Sequence, residues 1–282
     1  MHNDASLAPS KSDLAGAAAA SKRESLLDTF PGRLFIVRIL EFGCGSDYRS
    51  PQEIIDSLTP DDLIRAAASA VRDYLYSDEC LNVTNLDAYD PELQAADTAA
   101  LAALAKLSTF ASPQIHQGTL TQLRPPQICN RKHFCALPGD AFWTSTPMTD
   151  NEDSWLISGE NLRHASPRWE VHFDTTKARV ARVNSARDWI DLITSNSVTA
   201  GGCLYPDWPA LARFWDAVHL SPAGLVLAHP TISTTPFFTT DGSGLAHSEA
   251  GPYASVAIWS VVSTAWLNTP PGVELKALNS AE

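Results

Sequence analysis

The chain has 282 residues, 44% of them hydrophobic and 18% charged, a globular composition long enough to bury one large core. Acidic residues (32) outnumber basic ones (20) for a net charge of −12, and Arg131-Lys132 is the one compact basic pair flanked by uncharged sequence. Affinity for a phosphate backbone rests on clustered Lys and Arg, so nucleic acid is excluded as the main partner, whereas a small anion held by one or two arginines is not.

The N-terminus reads Met-His-Asn-Asp, with no basic segment leading into an apolar run. The longest apolar stretch, Val256 to Leu267, is interrupted by Ser and Thr and is too short to span a bilayer. Five cysteines at irregular spacing read as free thiols. Together these features predict a cytoplasmic protein with no membrane partner.

In chain order, residues 1–30 read as an N-terminal arm, rich in Ala, Ser, Asp and Lys, and residues 31–282 as a single main domain. Arg33 to Phe42 is dense in β-branched and aromatic residues and predicts the first strand, broken by Gly43-Cys44-Gly45. Helix starts follow: Ser50-Pro51-Gln52-Glu53 and Thr59-Pro60-Asp61-Asp62 each order a cap, a proline and a capping-box acid. Leu63, Ile64, Ala67, Val71, Tyr74 and Leu75 recur at helical spacing, and Asp90-Pro91 opens a further helix. Residues 50–112 therefore read as a helical insertion or lid.

All eight tryptophans lie between residues 143 and 266, which places the main sheet in the C-terminal portion. Strands are expected at Ala141 to Thr146, Trp169 to Phe173, Ala178 to Val183, Ala217 to Leu220 and Val256 to Leu267. Short helices are expected at Ser185 to Ile193 and Asp207 to Trp215, and Thr231 to Gly251 reads as a long loop. The fold class is α+β.

No GxxxxGK[ST], HExxH or GxSxG motif occurs, and Gly43-x-Gly45 lacks the third glycine of a dinucleotide fingerprint. Cys129, His133 and Cys135 lack the paired spacing of a structural zinc site, so no metal is expected. The best constellation is Phe142-Trp143-Thr144-Ser145-Thr146 with Ser154-Trp155-Leu156. Aromatics can pack against a ligand ring while hydroxyls fix a polar edge; equally, Thr and Ser on a strand can satisfy neighbouring backbone groups.

This run resembles the Ser-Thr-Ser-type strand of ADP-ribosyltransferase-like proteins. The resemblance covers roughly residues 140–270, taking in Ala178 to Val183, Asp188, Tyr205-Pro206, Asp216 to Leu220 with Gly224, and Trp259 to Leu267. It implies a split β-sheet core with a helical N-terminal insertion, NAD as cofactor, and a protein acceptor or partner beside the dinucleotide. In such proteins a first-strand Arg holds the NAD phosphates, a role that falls to Arg38, whose planar fork suits phosphate oxygens. The alternative for Arg38 is pairing with Glu41 or a surface carboxylate. Trp143, Thr144, Ser145, Thr146 and Trp155 would support the nicotinamide-ribose end.

The family pattern near the end reads Trp-Asp-x-Glu-Ser-Thr-x-Trp-Leu, and this chain has Val262 at the Glu position. Cleaving the nicotinamide-ribose bond builds oxocarbenium character that a carboxylate stabilises and valine cannot. Glu249 is the nearest substitute by sequence for the catalytic role, with a solvated loop acid as the alternative. Three readings follow: a transferase or NAD glycohydrolase that draws its acid from elsewhere, a catalytically inactive relative acting as a nucleotide-binding or protein-interaction module, or an unrelated small-molecule enzyme using Ser243 or a histidine.

Overall fold

A computed structural model describes residues 24–42, 49–107, 109–120, 122–131, 136–158, 167–229, 232, 253–256 and 258–278. The segment expected as the first strand is a helix, α1 (Phe30–Glu41). Thr29 caps it, its hydroxyl accepting from the Gly32 amide, and Pro31 sits in the first turn. Phe30, Leu34, Phe35, Ile36 and Ile39 are all buried, and such a continuously apolar segment cannot be told from a buried strand by periodicity. The preceding turn, Leu26–Asp28, buries Leu26 and Leu27 in the core, and residues 1–23 of the segment read as an arm lie outside the described residues.

The helical section appears as read: α2 (Pro51–Asp56) and α3 (Pro60–Tyr76) start with complete capping boxes, and α5 (Pro91–Lys106) is capped by Asp90. A short α4 (Glu79–Thr84) lies between them, its last carbonyls taken by the buried Arg33 guanidinium. These helices share one apolar core with α1 and with one face of the sheet.

That sheet has seven strands: β1 (Gln114–Gln117), β4 (Phe142–Ser145), β5 (Arg168–His172), β6 (Val180–Val183), β9 (Ala217–Leu220), β10 (Ser263–Trp266) and β11 (Glu274–Leu278). Their order is β11-β5-β1-β4-β10-β9-β6, antiparallel throughout except for β6 and β9. The ribbons β2 (Cys129–Asn130) with β3 (Pro138–Gly139) and β7 (Ser197–Ala200) with β8 (Cys203–Pro206) stand apart. Helix α6 (Ala186–Ser195), the β7–β8 ribbon and α7 (Trp208–Leu211) form the crossover between the parallel strands. After β9 the chain enters α8 (Pro222–Leu227) through the Ser221 cap. There α8 lies so close to β6 that a Cβ on Gly224 would stand 2.0 Å from the Val183 carbonyl oxygen. Of the described residues in the strand expected at Val256 to Leu267, only β10 is strand; Val256 and residues 258–260 are irregular chain, with Val256 and Trp259 buried.

Side chains alternate across the sheet. Trp143, Val218, Leu220, Val183 and Ala265 face the helices, while Phe142, Val171, Ala217 and Trp266 form a smaller core with Phe110 and Phe173 on the other face. Among the described residues no helix is long and apolar enough to cross a membrane.

Two histidines are buried in this framework without charge. On the Phe110 face, His219 bridges Thr109 (2.7 Å) and Thr264 (2.9 Å), and burial, followed by the Arg182 charge, lowers its pKa to about 3. His229 stands edge-on to Tyr74, and burial lowers it to about 4 against the opposing pull of the Leu225 carbonyl. The unfolded chain takes both protons near pH 6.5 and the folded chain does not, so stability is full above pH 6.5 and falls as pH drops toward 4. Between pH 7 and pH 5 each histidine is expected to withdraw about 2 kcal/mol. Urea titrations at the two pH values check this, and His229→Gln is expected to remove roughly half of the histidine contribution.

Candidate functional site

The hydroxyl strand β4 is central in the sheet, between β1 and β10, and its alternation sends consecutive hydroxyls to opposite faces. Thr144 is fully buried on the Phe110 side, where its hydroxyl accepts from Trp266 Nε1 (3.0 Å) and donates to Gln114 Oε1. Ser145, also fully buried, points to the helical side and donates to Asp153 Oδ1 (2.9 Å). The Thr146 amide donates to Ser154 Oγ (3.0 Å), and that hydroxyl in turn donates to the Val262 carbonyl. These contacts make the hydroxyl run a fastening between β4, its following loop and the chain entering β10. Thr144, Ser145 and Ser154 are all fully buried.

Trp143 and Trp155 are half-buried and meet edge to face with ring centroids 6.3 Å apart; Trp143 also packs edge-on against the buried Trp259 at 5.0 Å. Arg38 lies on α1 and not on a strand. Its guanidinium is taken by Asp73 (2.9 Å), Glu79 (2.5 Å) and Glu41 (3.1 Å), and the Asp73 hydrogen bond above all holds it further above the usual arginine range. An arginine committed to three carboxylates has few donors left for a phosphate. Val262 is fully buried in the main core. Glu249, Ser243, His133 and Cys135 lie outside the described residues, and Cys129 is exposed with Sγ 3.7 Å from Asp140 Oδ2. Among the described residues no group of three or more His, Cys, Asp or Glu is gathered to hold a metal.

The residue that organises this region is Asp153, which the sequence reading passed over. Its carboxylate is fully buried and accepts from Ser145 Oγ, from Gln117 Nε2 (3.2 and 3.0 Å to its two oxygens), from Arg168 Nη2 (2.7 Å), and from the Trp155 (2.9 Å) and Leu156 (3.2 Å) amides. Asp-Ser-Trp-Leu, an acid ahead of a turn whose amides it can cap, was the available signal. So many donors leave the carboxylate no free face for proton transfer, and its role here is to hold residues 147–158 on β1, β4 and β5.

Among the described residues, open space is found away from this strand. A recess of about 510 Å3 sits where β6 and β9 end, beside the last turn of α5, and Lys106, Arg182, Asn184 and Ser221 contribute its polar lining. Arg182 is exposed, with its guanidinium 5.5 Å from the Phe110 ring centroid. The sequence signal for it was Ala178-Arg-Val-Ala-Arg-Val183, whose alternation leaves Arg182 on the face opposite the main core.

Compared with known proteins, the chain matches no family model, no curated protein and no solved structure at a significant level.

Proposed function

We propose that this protein is a catalytically inactive relative of ADP-ribosyltransferase-like proteins, with a continuous rather than split core sheet, and that it works as a small-molecule-binding module. The observation that carries the reading is the burial of Val262. At the position where the resemblance implies an acid, an apolar side chain is fully enclosed in the main core. Oxocarbenium stabilisation needs a preorganised negative charge at the reacting sugar, and a valine packed away from solvent supplies none. The state of Ser145 and Arg38 supports the same reading, because one is locked on Asp153 and the other on three carboxylates.

The reading predicts how NAD responds to Arg38. Titrating NAD to millimolar concentration into the wild type and into folded Arg38→Ala should give affinities within about twofold of each other, because the guanidinium makes no phosphate contact. A charge-assisted phosphate contact is worth about 1.5–3 kcal/mol, so a tenfold or greater loss in the variant would restore Arg38 to the phosphate role and count against the reading.

A further inference from the structure

The recess stands at the carboxyl ends of β6 and β9, the parallel pair of the sheet. Crevices outside the carboxyl ends of parallel strands commonly hold ligands in α/β sheets, and about 510 Å3 is ample for a small molecule. Its two halves differ in chemistry. Leu101 and Leu104 from α5 and Leu107, which caps it, line the recess with Leu227 from α8, and Leu104 and Leu227 belong to the buried core, so the floor is aliphatic and fixed. The rim carries Lys106 and Arg182, both exposed.

Charge is the second observation. In a chain of net charge −12, Arg38, Arg65, Arg168 and Arg179 each sit on a carboxylate. Lys106 and Arg182 have no carboxylate partner among the described residues. Glu24, the one acid of the lining among the described residues, is engaged with the Arg187 amide at 3.1 Å. Stacking over Phe110 steadies the Arg182 fork, which suits two-point contact with a carboxylate or phosphate. Among the described residues no aromatic ring lines the recess, and its aliphatic walls suit a hydrocarbon body better than a nucleoside.

We infer that this recess binds a small organic anion with an aliphatic body, its carboxylate or phosphate head between Arg182 and Lys106 and its hydrocarbon on the leucines. The inference rests on the binding-module reading and gives that module its ligand class. Calorimetry with octanoate, octyl phosphate and inorganic phosphate tests it on the full chain. Both octyl compounds are expected to bind below millimolar concentration and at least tenfold more tightly than inorganic phosphate. Arg182→Gln and Lys106→Gln are each expected to weaken them about tenfold, the scale of one lost charge-assisted contact, with the thermal midpoint unchanged. Lys106 is exposed and unpartnered among the described residues, so its variant carries the test even if Arg182→Gln loses stability. No octanoate or octyl phosphate binding at millimolar concentration, unchanged affinity in Lys106→Gln, or inorganic phosphate binding as tightly as octyl phosphate would each overturn the inference. NAD cleavage is read separately, so turnover would remove the inactive-relative reading while leaving these affinities to stand or fall by themselves.

Discussion

Asp153→Ala is expected to lower the unfolding free energy by about 3–5 kcal/mol, the scale of breaking a buried ion pair by removing one partner. The carboxylate is fully buried, and deleting it removes the acceptor of the Gln117 amide, of Arg168 Nη2 and of two backbone amides, and leaves the Ser145 hydroxyl its longer contact with the Ile115 carbonyl (3.2 Å). Arg168 Nε is already buried without a partner, so the guanidinium would keep its Nη1 bond to the Asn151 carbonyl while losing its counter-charge. Asp153→Asn keeps the shape and one acceptor oxygen but not the charge, and is expected to fall between the variant and the wild type. Urea unfolding of the three proteins measures this; a loss below about 1 kcal/mol for Asp153→Ala would mean that the cluster is solvated and fastens little.

Val262→Glu is expected to cost a similar amount, roughly 3–5 kcal/mol, because the new carboxylate would enter the apolar core without a cation to meet it. Val262 has no exposed surface, and its carbonyl is held by the Ser154 hydroxyl, so the chain cannot swing the side chain outward without opening the β4–β10 fastening. Part of the cost would be offset by protonation, with the pKa of the introduced acid raised by burial. The variant should therefore be less destabilised at pH 5 than at pH 8, once each value is referred to the wild type at the same pH. A Val262→Glu protein as stable as the wild type at pH 8 would place the position at solvent and reopen a catalytic cleft there.

What could be read in the sequence followed from how local each signal is. Each cap of α2, α3, α5 and α6 acts on groups within four residues of itself, and all four helices start where Ser50, Thr59, Asp90 and Ser185 place them. Strand β9 has the bounds that its apolar run predicts, and β4, β5 and β6 fall inside or within one residue of theirs. Arg33 to Phe42 misleads because extensive burial weakens periodicity and its β-branched and aromatic residues favour a strand, while the Thr29 cap and Pro31 that start the helix lie just before that segment. Strands β1 and β11 were missed for a different reason. Gln114-Ile-His-Gln117 has a single apolar residue and Glu274-Leu-Lys-Ala-Leu278 lacks β-branched and aromatic residues, and both become strands through their ladders with β5.

The site was less legible than the fold. A run such as Trp143 to Thr146 has the same composition whether its hydroxyls face a ligand or one another, and the choice is made by partners far away in sequence. Thr144 meets Trp266 across 122 positions and Ser154 meets Val262 across 108. The recess was hidden for the same reason, since Lys106 ends a helix and Arg182 lies on a strand much later in the chain.

With Val262 enclosed in the core, the protein is expected not to cleave NAD. Nicotinamide release measured at millimolar NAD and micromolar wild-type protein tests it most directly. A preorganised carboxylate at the developing oxocarbenium is worth several kcal/mol, so its lack is expected to leave a rate about 100-fold or more below that of an active site bearing one. The predicted result is release indistinguishable from the protein-free control, with or without added acceptor protein. Multiple turnovers of NAD by the wild type would contradict it.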